Sequence, residues 1–159
     1  MYRTFHSFIL KLPNKLIFHN SKYYKNLYIY YNEILFNDLF YVFLSKDKIT
    51  FLDENGILKD LFISYSLENK IVENKYMIIG DYKNNIFINN NNILNYQNFI
   101  PHKIGKNTLF YNEKNSYLIN EDGTTENKKL NNEKVKLFLK ILDKVGGLDN
   151  FIYLVATYN

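Results

Sequence analysis

The chain has 159 residues, 47% of them hydrophobic and 18% aromatic, with no cysteine, no tryptophan and a net charge of +4. Such a length fits one modest domain plus an extension rather than a multi-domain enzyme. The absence of cysteine excludes disulfides, thiolate metal sites and thiol nucleophiles. His6, His19 and His102 lie far apart and lack the spacing that puts two imidazoles on one metal.

Asn, Lys, Ile, Tyr and Phe dominate and Arg3 is the one arginine, the residue set of a very AT-rich gene, so mutational bias stands beside every reading of a single aromatic or Asn. Residues 1–32 carry Arg3, Lys11, Lys15, Lys22 and Lys25 with no acid before Glu33. A basic, acid-free start suits an organelle-import sequence and equally a basic arm on nucleic acid. Its apolar residues fit helical and alternating registers at once and Pro13 interrupts them, so its state stays open. Residues 27–44 fit either a helix or two strands. A hairpin is expected over 49–67, where ITFL and ILKDLFIS flank Asp53–Gly56 and Asn55–Gly56 supplies the positive φ of a tight turn.

Further strands are predicted at Tyr76–Ile79, Asn85–Ile88, Leu109–Tyr111 and Tyr117–Ile119, with turn chemistry between them. The four Asn at 89–92 read as a solvated loop. From Asn132, a candidate N-cap, the residues Val135, Phe138, Leu139, Leu142 and Val145 share one helical face. Lys136, Lys140 and Lys144 share another, either solvated or a row of phosphate contacts, and Gly146–Gly147 ends the helix. Asp149 is expected to cap a second short turn. The predicted fold is therefore α+β, a small antiparallel β-sheet with a C-terminal amphipathic helix behind a β- and aromatic-rich extension.

Catalytic motifs are missing from the sequence. Gly105–Thr108 departs from a phosphate loop at both ends, and no nucleophile elbow, zinc helix or dinucleotide fingerprint occurs. Asp53/Glu54 and Glu121/Asp122 fall in predicted turns, where carboxylates stay solvated and ordinary. No run of about 18 apolar residues supports a membrane-spanning helix.

The segment ILDKVGGLDNFIYL, residues 141–154, resembles the C-terminal signature of mitochondrial members of the bacterial-type large-subunit ribosomal protein twenty-eight family, with Asp143, Lys144, Gly146, Gly147, Leu148, Asp149, Phe151 and Ile152 filling its pattern. Upstream, Asn98–Lys103, Gly80–Lys83 and Ile86–Asn90 are similar to other segments of that family. Phe99 stands where the family often has Trp, His102 where it has Asn, and Asn95, Tyr96 and Gln97 where arginines are expected, so planar bidentate phosphate grips are absent there.

The resemblance implies a ribosomal core at 80–159 and an extension at 1–79, which divides into the basic arm 1–32 and the hairpin. It implies a non-enzymatic constituent of the mitochondrial large ribosomal subunit, in the matrix, whose partners are large-subunit rRNA and neighbouring ribosomal proteins. No cofactor, metal, small-molecule substrate or membrane span is expected. Lys83, Lys103, Lys106, Lys136 and Lys140 would neutralise phosphates, and Asn85, Asn89, Asn90, Tyr96, Asn98 and His102 would meet nucleotides. Residues 1–79, aromatic and without positive excess after Glu33, would contact protein neighbours instead. The alternative from a different class is a small bacterial α+β binding or immunity protein acting by one-to-one association.

Overall fold

The computed structural model of the protein describes residues 8–12, 15–19, 27–53, 58–62, 67–89, 92–142 and 146–157. They divide into two compact units, Met1–Ser66 and Leu67–Asn159.

In the first unit β1 (Phe8–Leu12), β2 (Lys15–His19) and β3 (Leu27–Tyr30) form a three-stranded antiparallel sheet. A four-stranded antiparallel sheet follows in chain order, β4 (Glu33–Phe36), β5 (Phe40–Ser45), β6 (Lys48–Asp53) and β7 (Leu58–Leu61). Tyr31, Tyr41, Phe43 and Leu52 make a buried cluster on it, with Ile34, Phe36 and Leu58 packed alongside. The hairpin expected at 49–67 is the pairing of β6 with β7, Ile49 opposite Leu61 and Leu52 opposite Leu58. Its Asn55–Gly56 turn lies outside the described residues.

The second unit holds two more four-stranded antiparallel sheets. One is β8 (Asn69–Val72), β9 (Tyr76–Gly80), β10 (Asn85–Asn89) and β11 (Ile93–Tyr96). The other is β12 (Ile100–Ile104), β13 (Asn107–Tyr111), β14 (Ser116–Ile119) and β15 (Thr125–Asn127). Two eight-residue helices, α1 (Asn132–Leu139) and α2 (Leu148–Val155), complete it.

The alternation of β13 explains the layering, because successive side chains leave a strand on opposite faces. Phe110 joins Tyr76, Ile78, Phe87 and Ile119 between the two sheets, while Leu109 and Tyr111 join Ile104, Val135, Phe151 and Val155 beneath the helices. The unit is thus sheet on sheet on helices. Rings of Tyr96, Phe99, Phe110 and Tyr117 interlock in the inter-sheet layer, Tyr96 and Phe110 stacked at 4.9 Å, each such pair adding about 0.5–1.5 kcal/mol beyond burial.

These sheets correct the expected α+β fold. The protein is mostly β, with a complete meander where a single small sheet was predicted. The physical reason is a repeat. SKDKITFLD from Ser45, DYKNNIFIN from Asp81 and NEKNSYLIN from Asn112 begin 36 and 31 residues apart, and each spans the hairpin between the second and third strands of its sheet. Sequential four-stranded meanders at such a period are the building unit of propellers and related β-arrays. The Asn richness serves this architecture. Oδ1 of Asn37, Asp81, Asn89 and Asn112 accepts backbone N–H groups two or three residues on, closing the turns.

The helices differ in detail from expectation. Asn131, not Asn132, is the N-cap, accepting from Glu133 and Lys134 N–H, and α1 ends at Leu139 with Lys140 as C-cap, short of the expected stop at Gly146–Gly147. Gly147, at φ 127°, is the N-cap of α2, and Asp149 lies inside the first turn where a carboxylate favours the helix dipole.

Candidate anion-binding cleft

Three turns and one helix of the second unit converge on a cleft of about 420 Å³ lined by Lys83, Asn98, Ile100, Tyr111, Asn112, Glu113, Lys114 and Lys136. Each side chain arrives for a local reason. Lys83 and Lys114 occupy the same position in two successive copies of the repeat, the third residue of an Asx-type turn. Their backbone N–H groups donate to Asp81 and Asn112 Oδ1 at 3.2 and 2.9 Å. The turn before Lys83 is tight enough to require glycine: a Cβ on Gly80 would run into the Asn84 carbonyl oxygen and stand 2.7 Å from Asn85 Cα.

Asn98 brings the β11–β12 turn to the same place. It sits at φ 63°, a conformation Asn tolerates, and its N–H donates to Asn84 Oδ1 at 3.4 Å. Helix α1 is pinned by Asn132, whose amide donates to the Asn112 carbonyl and whose Oδ1 accepts from the Ser116 hydroxyl at 2.6 Å. Lys136 follows four residues later on the same helical face, so the anchor delivers it to the cleft.

Three lysines against Glu113 leave the cleft cationic. Among the described residues none of Lys83, Lys114 and Lys136 has a carboxylate within ion-pair distance. Tyr111 forms an apolar wall, and its phenol is pushed up by burial and then by the neighbouring Tyr82. Tyr82 itself is 62% exposed, on the Lys83 turn.

The expected RNA-contacting residues scatter. Lys83, Asn98 and Lys136 meet in the cleft. Lys103 is held by Glu73, and Lys106 by Glu121 at 3.3 Å. Asn85 is fully buried, donating to the Phe99 carbonyl and accepting from Asn69. Asn89 closes its own turn and donates to the Gly123 carbonyl at 3.1 Å. Tyr96 lies among the inter-sheet rings and Phe151 under the helices, while His102 is half-buried, its imidazole pushed down by that burial. Lys140 is the exposed C-cap of α1. Asn90, Asp143 and Lys144 lie outside the described residues. Gly146 and Gly147, both at positive φ, form the turn into α2, whose Leu148 packs on the helix-side cluster. Lys114 was missed from sequence. Its signal was the match of Asn112–Glu113–Lys114–Asn115 to Asp81–Tyr82–Lys83–Asn84.

Among the described residues no helix is long and apolar enough to cross a membrane. No family model and no curated protein matches the chain. Solved structures of Hsv2p from Kluyveromyces lactis are similar at 10% identity, one with a TM-score of 0.38 over 74% of this chain. A second, with complete loop 6CD, has a TM-score of 0.37 over 75%. The chain spans 45% of the length of each.

Proposed function

We propose that the protein is a non-catalytic β-repeat scaffold that holds RNA through the cationic cleft of its second unit. The observation that carries this reading is that Lys83, Lys114 and Lys136, from two repeat turns and a helix, converge on one cleft with no carboxylate within ion-pair distance among the described residues. By contrast, Lys103 and Lys106 of the same unit are each paired with a carboxylate, Glu73 and Glu121. A lysine kept clear of internal carboxylates is available to displace counterions from a phosphate chain, which is the main source of affinity in such complexes. Amide groups of Asn98 and Asn112 at the rim suit sugar and phosphate oxygens.

The test is RNA binding by the full chain and by Lys83→Glu/Lys114→Glu at moderate salt. Binding that the double variant abolishes supports the reading, and equal binding by both overturns it. Poly-glutamate bound as tightly as RNA would also overturn it, in favour of an acidic protein partner. The cleft needs phosphates rather than a ribosome as such. The mitochondrial large subunit that residues 80–155 imply by resemblance is one setting, and sedimentation of the chain with purified large subunits tests it.

A further inference from the structure

We infer that the cleft takes single-stranded nucleic acid, with a base stacked on Tyr82 and the flanking phosphates on Lys83 and Lys114. The inference rests on the RNA reading above and adds the state of the strand. Two turns at equivalent positions of consecutive repeats present the pattern Tyr82–Lys83 and Glu113–Lys114. The Tyr82 ring is 62% exposed, whereas Tyr76, Phe87 and Phe110 of the same unit are completely buried. Tyr82 directly precedes Lys83, a cleft-lining residue, on the same turn.

An exposed ring beside unpaired lysines is the combination that grips unpaired bases: the ring offers a π-face to any base and the cations follow the backbone. A duplex keeps its bases stacked on one another, so it would gain from the lysines and nothing from Tyr82.

The experiment uses the full chain with a dye-labelled single-stranded oligouridylate, the same strand annealed to its complement, and inorganic polyphosphate, read by anisotropy across a salt series. Single strand should bind at least about 10-fold more tightly than duplex. Its log affinity should fall against log salt with a slope of roughly −2, three contacts at about 0.7 each once Lys136, the third lysine of the cleft, is included. Tyr82→Ala should weaken the single strand on the order of 10-fold and leave polyphosphate unchanged, while Tyr82→Phe should bind as the parent does. Tyr82 is exposed, so unchanged unfolding midpoints verify that the fold is intact. If single strand, duplex and polyphosphate bind alike and Tyr82→Ala alters none of them, while Lys83→Gln/Lys114→Gln weakens all three, the stacking inference fails and the phosphate cleft stands. If none of the three probes binds, both readings fall.

Discussion

The Tyr76 phenol on β9 and the Thr108 hydroxyl on β13 meet at 3.0 Å, and the same phenol donates to the Lys106 carbonyl at 2.8 Å. These bonds cross from one sheet of the second unit to the other, beside a cluster of apolar and aromatic side chains. They fix how the sheets register, and so where the Lys83 turn stands relative to the Lys114 turn. Asn85 to Phe99 and Asn89 to Gly123 are further cross-links of the same kind.

Tyr76→Phe keeps the ring and deletes the bond, leaving Thr108 and the Lys106 carbonyl short of a partner in a buried place. The expected loss is about 1–3 kcal/mol, measured by urea unfolding. In a double-mutant cycle Thr108→Val should cost less on the Tyr76→Phe background than on the parent. Additive losses would show that the pair does not interact.

Burial also pushes the Tyr76 phenol up to about 12. An acid whose folded value lies above its unfolded value of about 10 contributes stability that is whole below the unfolded value and is lost as pH rises through the folded one. Between about pH 10 and 12 the parent should therefore lose stability more steeply than Tyr76→Phe. Parallel curves would rule this out.

His102 gives the acid-side counterpart. Burial holds its imidazole below the ordinary range, so the unfolded chain protonates first on acidification. The stability it contributes is complete above about pH 6.5 and is lost as pH falls through that value toward the lower folded one. The stability difference between the parent and His102→Gln should narrow over that interval in urea titrations. A constant difference would contradict the assignment.

Gly80→Ala forces a carbon into backbone atoms of Asn84 and Asn85, which cannot yield as a side-chain tip can. A cost of about 1–3 kcal/mol is expected, together with weaker RNA binding because the Lys83 turn shifts. An unchanged unfolding midpoint would mean the hairpin is looser than its geometry implies.

Asn132→Ala alters no charge, yet it removes the tie from α1 to Asn112 and Ser116. The prediction is a several-fold loss of RNA affinity with a smaller salt slope, since Lys136 is no longer held at the cleft. Asn132→Asp should keep the Ser116 bond yet bind RNA no better than Asn132→Ala, because it sets a carboxylate one turn from Lys136. If Asn132→Ala binds with the parent's salt slope, Lys136 is not delivered by this anchor.

Strands were legible where an apolar run was bounded by turn residues. Tyr76–Ile79 and Asn85–Ile88 were predicted almost to the residue, since alternation and turn chemistry agree there. Edge strands such as β11 and β15, half or fully exposed, carry no such contrast and were left unassigned. Residues 27–44 stayed ambiguous because aromatic side chains on both faces of β5 erase the period of two; Phe40 to Leu44 are all buried. For the cleft, charge alone pointed to Lys83 and Lys136 but equally to Lys103 and Lys106, because sequence does not show which lysines have a carboxylate across the sheet. Comparing the three turns with one another, instead of reading each alone, would have found Lys114.

The two helices lie flat over Leu109, Tyr111 and Ile104 and occupy the outer side of the β12–β15 sheet. Any additional copy of the meander would therefore find that side closed. Because that covering is tied to the Asn112 carbonyl through Asn132, it also works as a ruler, setting how far Lys136 stands from the Lys114 turn.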